Sequence, residues 1–170
     1  MTDADQSLPS YAPPGGPLLT PYICPRDATE AIAWYADIFG AVETSERFVD
    51  PEGRVGHANL AIDGAHLMVS DAYPDYGAVA PEPGNSAATF ALQLYVPDVD
   101  ETVRRAEAAG AVVQRPPEDQ FYGSRRATVM DPFGVRWMVS TFRRRPSDEE
   151  FSAAAAKFAK TGAAPGPVDD

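Results

Sequence analysis

One unit of sequence occurs twice in this chain, and that repeat limits the folds the chain can adopt. Residues 25–42 and residues 97–113 each open with Pro and an early Asp, continue through a helix-like pattern and close with Gly-Ala-Val. The closing glycines, Gly40 and Gly110, stand where a helix needs a left-handed residue at its C-terminal end. The repeat therefore predicts two similar supersecondary modules packed together.

Strand-like sequence surrounds each predicted helix. In the first copy one strand precedes the helix and further strands follow it, with a hairpin turn at Asp63-Gly64, a dipeptide that favours tight turns. The second copy has the same order, with a long loop after a short strand at 111–114 and a turn at 131–134. Both copies are thus predicted as β-α-β-β-β. The predicted fold class is α+β, with two tandem modules that form a curved mixed sheet around a cleft.

These patterns divide the chain into segments. The predicted segments are a flexible N-terminal arm (1–17), a two-module domain (18–142), a C-terminal helix (143–160) and a disordered tail (161–170). Within the domain, module one covers 18–72, a linker covers 73–88 and module two covers 89–142. Ser147 and Glu150 have the spacing of a capping box at the start of the C-terminal helix.

Composition excludes several classes of partner. The chain has 14 basic and 25 acidic residues and a net charge of −11, which repels nucleic acid phosphates and anionic lipid. No apolar run approaches the roughly 18–20 residues that a membrane-spanning helix needs. Cys24 is the single cysteine, which excludes an internal disulfide and suits a reducing compartment. We therefore expect a cytoplasmic protein whose partner is a small molecule, with no nucleic acid and no membrane partner.

Alternation along the predicted strands separates an apolar face, expected under the helices, from a mixed face. The mixed face combines Met and Tyr with hydrogen-bonding side chains, a composition typical of small-molecule pockets. The predicted ligand-binding residues, on or beside this face, are Tyr22, Asn59, Met68, Gln93, Tyr95, Phe121, Tyr122, Arg126 and Met138. His57 is the candidate catalytic base, with a polar residue satisfied across the sheet as the alternative.

A short aromatic segment, Phe121-Tyr122-Gly123, precedes the strand that carries Arg126. A loop of this kind is a candidate lid over a cleft. An arginine beside it is suited to bind a carboxylate or phosphate through two parallel hydrogen bonds.

Four segments carry a family resemblance when taken in order. They are AIAWYADIFGA at 31–41, HANLAIDGAHLMVSDA at 57–72, VPDVDETVRRAEAAGA at 96–111 and FYGSRRATVMDPFGVRWMVS at 121–140. In order and spacing they resemble the vicinal oxygen chelate superfamily, also called the glyoxalase/bleomycin-resistance/dioxygenase family, and most of all its PhnB-like branch. The resemblance covers about residues 18–142. It implies paired modules that close into a cleft, commonly as a homodimer.

Metal enzymes of this family use one His, carboxylate or amide ligand from each of four strands. The resemblance places those positions at Thr20, Met68, Ala91 and Met138. Methyl groups and thioethers do not replace such ligands for zinc, nickel or iron, so we predict no metal and no cofactor. The remaining set of candidate ligands, His57, His66 and Asp71, lies on or at the ends of neighbouring predicted strands.

Three functions are compatible with these residues. The first is a metal-independent protein of the bleomycin-resistance type that sequesters a drug or metabolite in its cleft. The second is an enzyme, a lyase or isomerase that uses His57 as general base and holds an anionic group with Tyr122 and Arg126. The third is a structural or regulatory dimer whose cleft is filled by its own side chains.

Overall fold

The structure, a computed structural model, describes most of the chain. The described ranges are 17–82, 84–85 and 87–161. The predicted N-terminal arm lies outside them except for Pro17, and the predicted tail lies outside them except for Thr161. No helix within the described ranges is both long and apolar enough to cross a membrane.

Two modules of the same topology make up the described chain. In chain order the elements are β1 (Tyr22–Ile23), α1 (Ala28–Phe39), β2 (Val42–Glu43), β3 (Phe48–Val49), β4 (Val55–Ile62), β5 (Ala65–Val69), β6 (Leu92–Tyr95), α2 (Val99–Ala108), β7 (Val112–Gln120), β8 (Ser124–Met130), β9 (Arg136–Phe142) and α3 (Asp148–Thr161). The strand order is β1-β5-β4-β2 in the first sheet, where β3 also pairs with β4, and β6-β9-β8-β7 in the second. In each sheet the outermost first strand is parallel to its neighbour and the other pairs are antiparallel. The predicted α+β class with a doubled module is confirmed, with two mixed sheets where one continuous sheet was expected.

The repeated helices begin and end as their sequence predicts. Asp27 and Asp98 cap α1 and α2, since each carboxylate accepts a hydrogen bond from a backbone N–H in the first turn. Gly40 and Gly110 follow the helices with φ angles of 69° and 91°, a left-handed conformation that a side chain disfavours.

Helix packing separates the two faces of each sheet. Helix α1 packs on β4 and on α2, and α2 packs on β7, β8 and β9. Trp34 and Trp137, both predicted to be core residues, are only 9% and 2% exposed. The apolar faces of the strands thus lie under the helices, and the mixed faces lie on the opposite side of each sheet.

Strand β7 is longer than the sequence predicted. A strand at 111–114 followed by a long loop was expected, yet β7 continues to Gln120 through Pro116 and Pro117. Proline has no N–H to donate to a ladder, so it is tolerated in an edge strand. Strand β7 is such an edge, and its register with β8 shifts on both sides of Arg115.

Helix α3 begins later than the predicted range 143–160, at Asp148, and ends at Thr161. Proline disfavours a helical conformation of the residue before it, and Pro146 stands just ahead of the helix. The capping box is confirmed: Ser147 Oγ accepts from the Glu150 N–H at 3.2 Å, and Glu150 Oε2 accepts from the Ser147 N–H at 2.6 Å. Hydrogen bonds from Arg144 and Ser147 lower the pKa of Glu150 to about 2.

Candidate functional site

Four predicted site residues lie together on the mixed face of the first sheet. Tyr22, Met68 and Asn59 are register partners on β1, β5 and β4, and directly paired residues project to the same side. His57 lies two residues before Asn59 on β4 and therefore shares that face. The Tyr22 hydroxyl is 3.2 Å from His57 Nδ1, and the two ring centroids are 5.6 Å apart. This contact orients the half-buried imidazole.

A cavity of about 350 Å³ opens beside Tyr22. Its lining residues are Tyr22, Phe48, Asp50, Gly56, Ser70, Tyr73, Tyr76 and Ala78. Sequence reasoning missed Phe48, Tyr73 and Tyr76, because the first lies in a two-residue strand and the others fall in the segment predicted as a linker. The available signal was the pair of tyrosines around a proline turn at 73–77.

Asp50 organises one wall of this cavity. Its carboxylate accepts hydrogen bonds from Arg54 Nε at 2.8 Å, from the Tyr73 hydroxyl at 2.9 Å and from the backbone N–H groups of Glu52 and Arg54. The Arg54 guanidinium also lies 4.5 Å from the centroid of the Tyr73 ring. Burial acts to raise the pKa of Asp50, but the hydrogen bonds from Arg54 and Tyr73 outweigh it and lower that pKa to about 2. Asp50 is therefore ionised and is neutralised by Arg54.

The mixed face of the second sheet carries the other predicted strand residues. Its register rows are Gln93–Met138–Thr128 and Tyr95–Ser140–Arg126 across β6, β9 and β8. Gln93 Nε2 donates to Ser140 Oγ at 2.8 Å, so the amide is already engaged within the protein. Tyr95 is 59% exposed. The structure thus brings Gln93, Tyr95, Arg126 and Met138 onto one surface.

Arg126 and Tyr122 have unused hydrogen-bonding capacity on this surface. The half-buried Arg126 guanidinium lies 5.8 Å from the centroid of the Tyr122 ring. Within the described ranges it forms no ion pair and no hydrogen bond of normal geometry, whereas the adjacent Arg125 binds Asp100 at 2.7 Å and Asp119 at 3.4 Å. The Tyr122 hydroxyl is buried with no hydrogen-bond partner in the described structure. Burial raises its pKa, and the Arg126 charge opposes that rise.

The aromatic loop before β8 is held in place by the C-terminal segment. The Phe121 ring contacts both Tyr122 and Phe151 of α3, with centroid distances of 5.4 Å and 5.5 Å. The Gly123 carbonyl accepts hydrogen bonds from the backbone N–H groups of residues 143 and 144. The predicted lid is therefore a tethered wall beside Arg126.

The modules meet through their helices and turns. Trp34 Nε1 donates to the Ala109 carbonyl at 3.0 Å, and the Tyr35 hydroxyl donates to Asp131 Oδ2 at 2.8 Å. In the described parts of the chain, no hydrogen bond, ion pair or ring contact joins the predicted site residues of the first sheet to those of the second. Each module thus presents its own half of the candidate site.

Comparison with known proteins identifies the family. A sequence profile of the glyoxalase/bleomycin resistance protein/dioxygenase superfamily matches residues 18–139. The chain belongs to this superfamily. The uncharacterized protein Rv0887c of Mycobacterium tuberculosis is 37% identical over 140 residues, which cover 81% of this chain and 82% of that protein.

Two solved structures illustrate the superfamily fold. TioX from Micromonospora sp. ML1 is 26% identical, with a TM-score of 0.54, and the match covers 75% of this chain and 99% of TioX. The PhnB protein of Bacillus cereus is 19% identical, with a TM-score of 0.56 and a coverage of 74% and 99%. The second likeness shows the fold alone. The predicted resemblance to the superfamily is confirmed, and a PhnB protein is among the proteins of similar fold.

The residues at the metal position of this superfamily do not fit a metal. The resemblance placed the positions on β1 and β6 at Thr20 and Ala91, but the register pairs Met68 with Tyr22 and Met138 with Gln93, two residues further along each strand. These pairs offer two thioethers, a phenol and one amide, and that amide is engaged by Ser140. A single amide with thioethers and a phenol does not replace the imidazole, thiolate and carboxylate ligands that zinc and similar cations prefer.

The remaining set of candidate metal ligands does not converge either. His66 pairs with Ala61, four residues along β4 from His57, which places the two imidazoles about 13 Å apart along the strand. Both oxygens of Asp71 accept backbone hydrogen bonds, from the N–H groups of Ala28 and Val55. Among the residues described, no three His, Cys, Asp or Glu side chains cluster so as to hold a metal.

Proposed function

We propose that this protein binds a small anionic molecule without a metal and sequesters it on the mixed face of its sheets, in the manner of a bleomycin-resistance-type member of the superfamily. The observation that carries the proposal is that, among the described residues, the half-buried Arg126 forms no ion pair and the buried Tyr122 hydroxyl beside it forms no hydrogen bond of normal geometry. Glu118 on β7 is the register partner of Arg126, yet no ion pair joins these two described residues. A buried polar group left unsatisfied costs about 1–3 kcal/mol. A ligand carboxylate or phosphate would satisfy both side chains at once.

The rest of the cleft comes from exposed aromatic residues. Tyr22 and Tyr95 project from the mixed faces of the two sheets and are 49% and 59% exposed. We propose a cytoplasmic homodimer in which the first-module face of one copy and the second-module face of its partner enclose the ligand. This arrangement would remove both tyrosines from water.

Loss of the Arg126 charge tests the anion site. We expect Arg126→Gln to weaken binding of a carboxylate or phosphate monoester by about 10- to 100-fold, because a hydrogen bond to a charged group contributes about 1.5–3 kcal/mol. Ligands are first found by thermal shift with a panel of small carboxylates and phosphate monoesters, and dissociation constants are then measured by calorimetry. Arg104→Gln is the matched control, since Arg104 is an exposed arginine on α2 paired with Glu101. An Arg126→Gln protein with the dissociation constant of the wild type would rule out this site.

An enzyme is the second candidate, favoured by the hydrogen bond that orients His57 beside the cavity. Bound ligand recovered after incubation is compared by mass spectrometry with the starting compound. Sequestration predicts unchanged ligand. Conversion that disappears in His57→Ala, with the melting temperature and the ligand dissociation constant preserved, is the result expected of a base at His57. Conversion that survives in His57→Ala would exclude that role.

A further inference from the structure

We infer that the cavity beside Tyr22 binds an uncharged planar ring system. Its residues, Tyr22, Phe48, Tyr73 and Tyr76, belong to the first module and are distinct from Arg126 and Tyr122. The cavity shares Tyr22 with the cleft proposed above, but the inference does not depend on an anion bound at Arg126.

Exposed aromatic side chains converge on this cavity. Phe48 is 63% exposed, Tyr76 is 88% exposed and Tyr22 is 49% exposed. Single exposed aromatic residues are ordinary, but several around one concavity mark a binding surface. The cavity volume, about 350 Å³, falls within the range of about 300–1,000 Å³ for small-molecule sites and suits a ligand with one or two rings. In the described structure no ring contact joins any two of the four aromatic residues, so a ligand ring has room between them.

The outer wall of the cavity is held before any ligand arrives. Tyr73 and Ala78 exchange backbone hydrogen bonds of 2.8 Å and 3.2 Å across the turn that presents Tyr76. The Tyr73 hydroxyl is fixed by Asp50. A wall held in this way loses little conformational entropy when a ligand binds.

Gly56 allows an aromatic ring to lie against the floor of the cavity. A Cβ atom at this position would stand 2.5 Å from Phe48 Cδ1 and 2.8 Å from Phe48 Cε1. The Phe48 ring therefore lies directly against the glycine backbone of β4.

The charges around the cavity favour an uncharged ring over a cation. Aromatic sites for cations offer free ring faces to the positive charge. Here Arg54 already lies over the Tyr73 ring, and the Asp50 carboxylate is neutralised by the same guanidinium. Asp50 is the one charged residue that lines the cavity, and its ion pair with Arg54 leaves no uncompensated carboxylate there for a cationic ligand.

Three matched probes test the inference on the full chain: naphthalene-2-methanol, its saturated decahydro analogue, and a trimethylammonium derivative of the same naphthalene. We expect naphthalene-2-methanol to bind most tightly in titrations followed by NMR. Tyr76→Ala should weaken its binding by about three- to tenfold, the range of an aromatic pair contact, and Tyr76→Phe should retain it. Phe142→Ala is the control, since Phe142 is 59% exposed but lies on β9 of the other module. Circular dichroism checks that each variant is folded.

Four results would overturn the inference. Three are binding results: equal affinity for the saturated analogue, tighter binding of the ammonium probe, and unchanged affinity for naphthalene-2-methanol in Tyr76→Ala. The fourth concerns assembly: the wild-type protein is a dimer that does not bind the probe, and the Tyr76→Ala protein is a monomer. The last would assign the cavity to a second copy of the chain. Because naphthalene-2-methanol carries no anion, its failure to bind leaves the Arg126 experiment unaffected.

Discussion

Replacing Asp131 with alanine is expected to lower the free energy of unfolding by about 4 kcal/mol. Asp131 is only 3% exposed. Its Oδ2 atom accepts hydrogen bonds from the Tyr35 hydroxyl at 2.8 Å and from Trp137 Nε1 at 3.0 Å, and its Oδ1 atom accepts from the backbone N–H groups of Phe133 and Val135. Alanine would leave all four donors in the interior without that acceptor. Equilibrium unfolding in urea, followed by tryptophan fluorescence, measures the loss.

Tyr35→Phe separates one hydrogen bond from the whole network. It removes a single donor and leaves the Asp131 carboxylate with three, so its cost should be about 1 kcal/mol. Asp37→Ala is the surface control, since Asp37 is exposed and its contact with Arg105 is 3.7 Å, and its effect should be between about 0 and 1 kcal/mol. A loss in Asp131→Ala no larger than that in Tyr35→Phe would contradict this account. Because Tyr35 belongs to the first module and Asp131 to the second, we also expect one cooperative transition.

Replacing Gly123 with alanine should detach the C-terminal segment from the body of the protein. Gly123 has a φ angle of +87°, and a Cβ atom there would lie 1.7 Å from the Arg144 carbonyl oxygen and 2.9 Å from its carbon. The clash is with backbone, so the segment must move and lose its two hydrogen bonds to the Gly123 carbonyl. We expect a cost of about 3 kcal/mol, of which the left-handed backbone accounts for about 1–2 kcal/mol. Hydrogen exchange should show faster exchange in α3 and at Arg143 and Arg144.

Gly53→Ala is the matched control for this change. Gly53 has nearly the same φ angle, +86°, but a Cβ atom there meets nothing within 4 Å. The loss of stability in Gly53→Ala therefore measures the cost of the left-handed backbone alone. If the two variants lose equal stability and α3 exchanges at the wild-type rate in both, the tether described for the aromatic loop is wrong.

Sequence patterns predicted which face of a strand a residue occupies. They did not predict which separate segments of the chain meet at the candidate site. Alternation placed His57, Asn59 and Met68 on the mixed faces of their strands, and the register of β4 and β5 agrees and adds Tyr22 of β1 to that face. Alternation is a local property of a strand, because successive side chains project to opposite sides whatever the strand packs against. The cavity beside Tyr22 was not predicted, since Tyr76 reaches it from a turn that follows no periodic pattern.

The sequence by itself determined the doubled module, the helix ends and the two faces of each strand. Each of these rests on interactions between near neighbours: a capping carboxylate three residues from its donor, a glycine that accepts a positive φ, or the two-residue period of a strand. Only the tertiary structure decided that Arg125 pairs with two acids while Arg126 forms no ion pair among the described residues, that Pro116 and Pro117 lie in an edge strand, and that four aromatic side chains line one cavity. These depend on which distant segments meet, and that is set by the packing of the whole core rather than by local spacing.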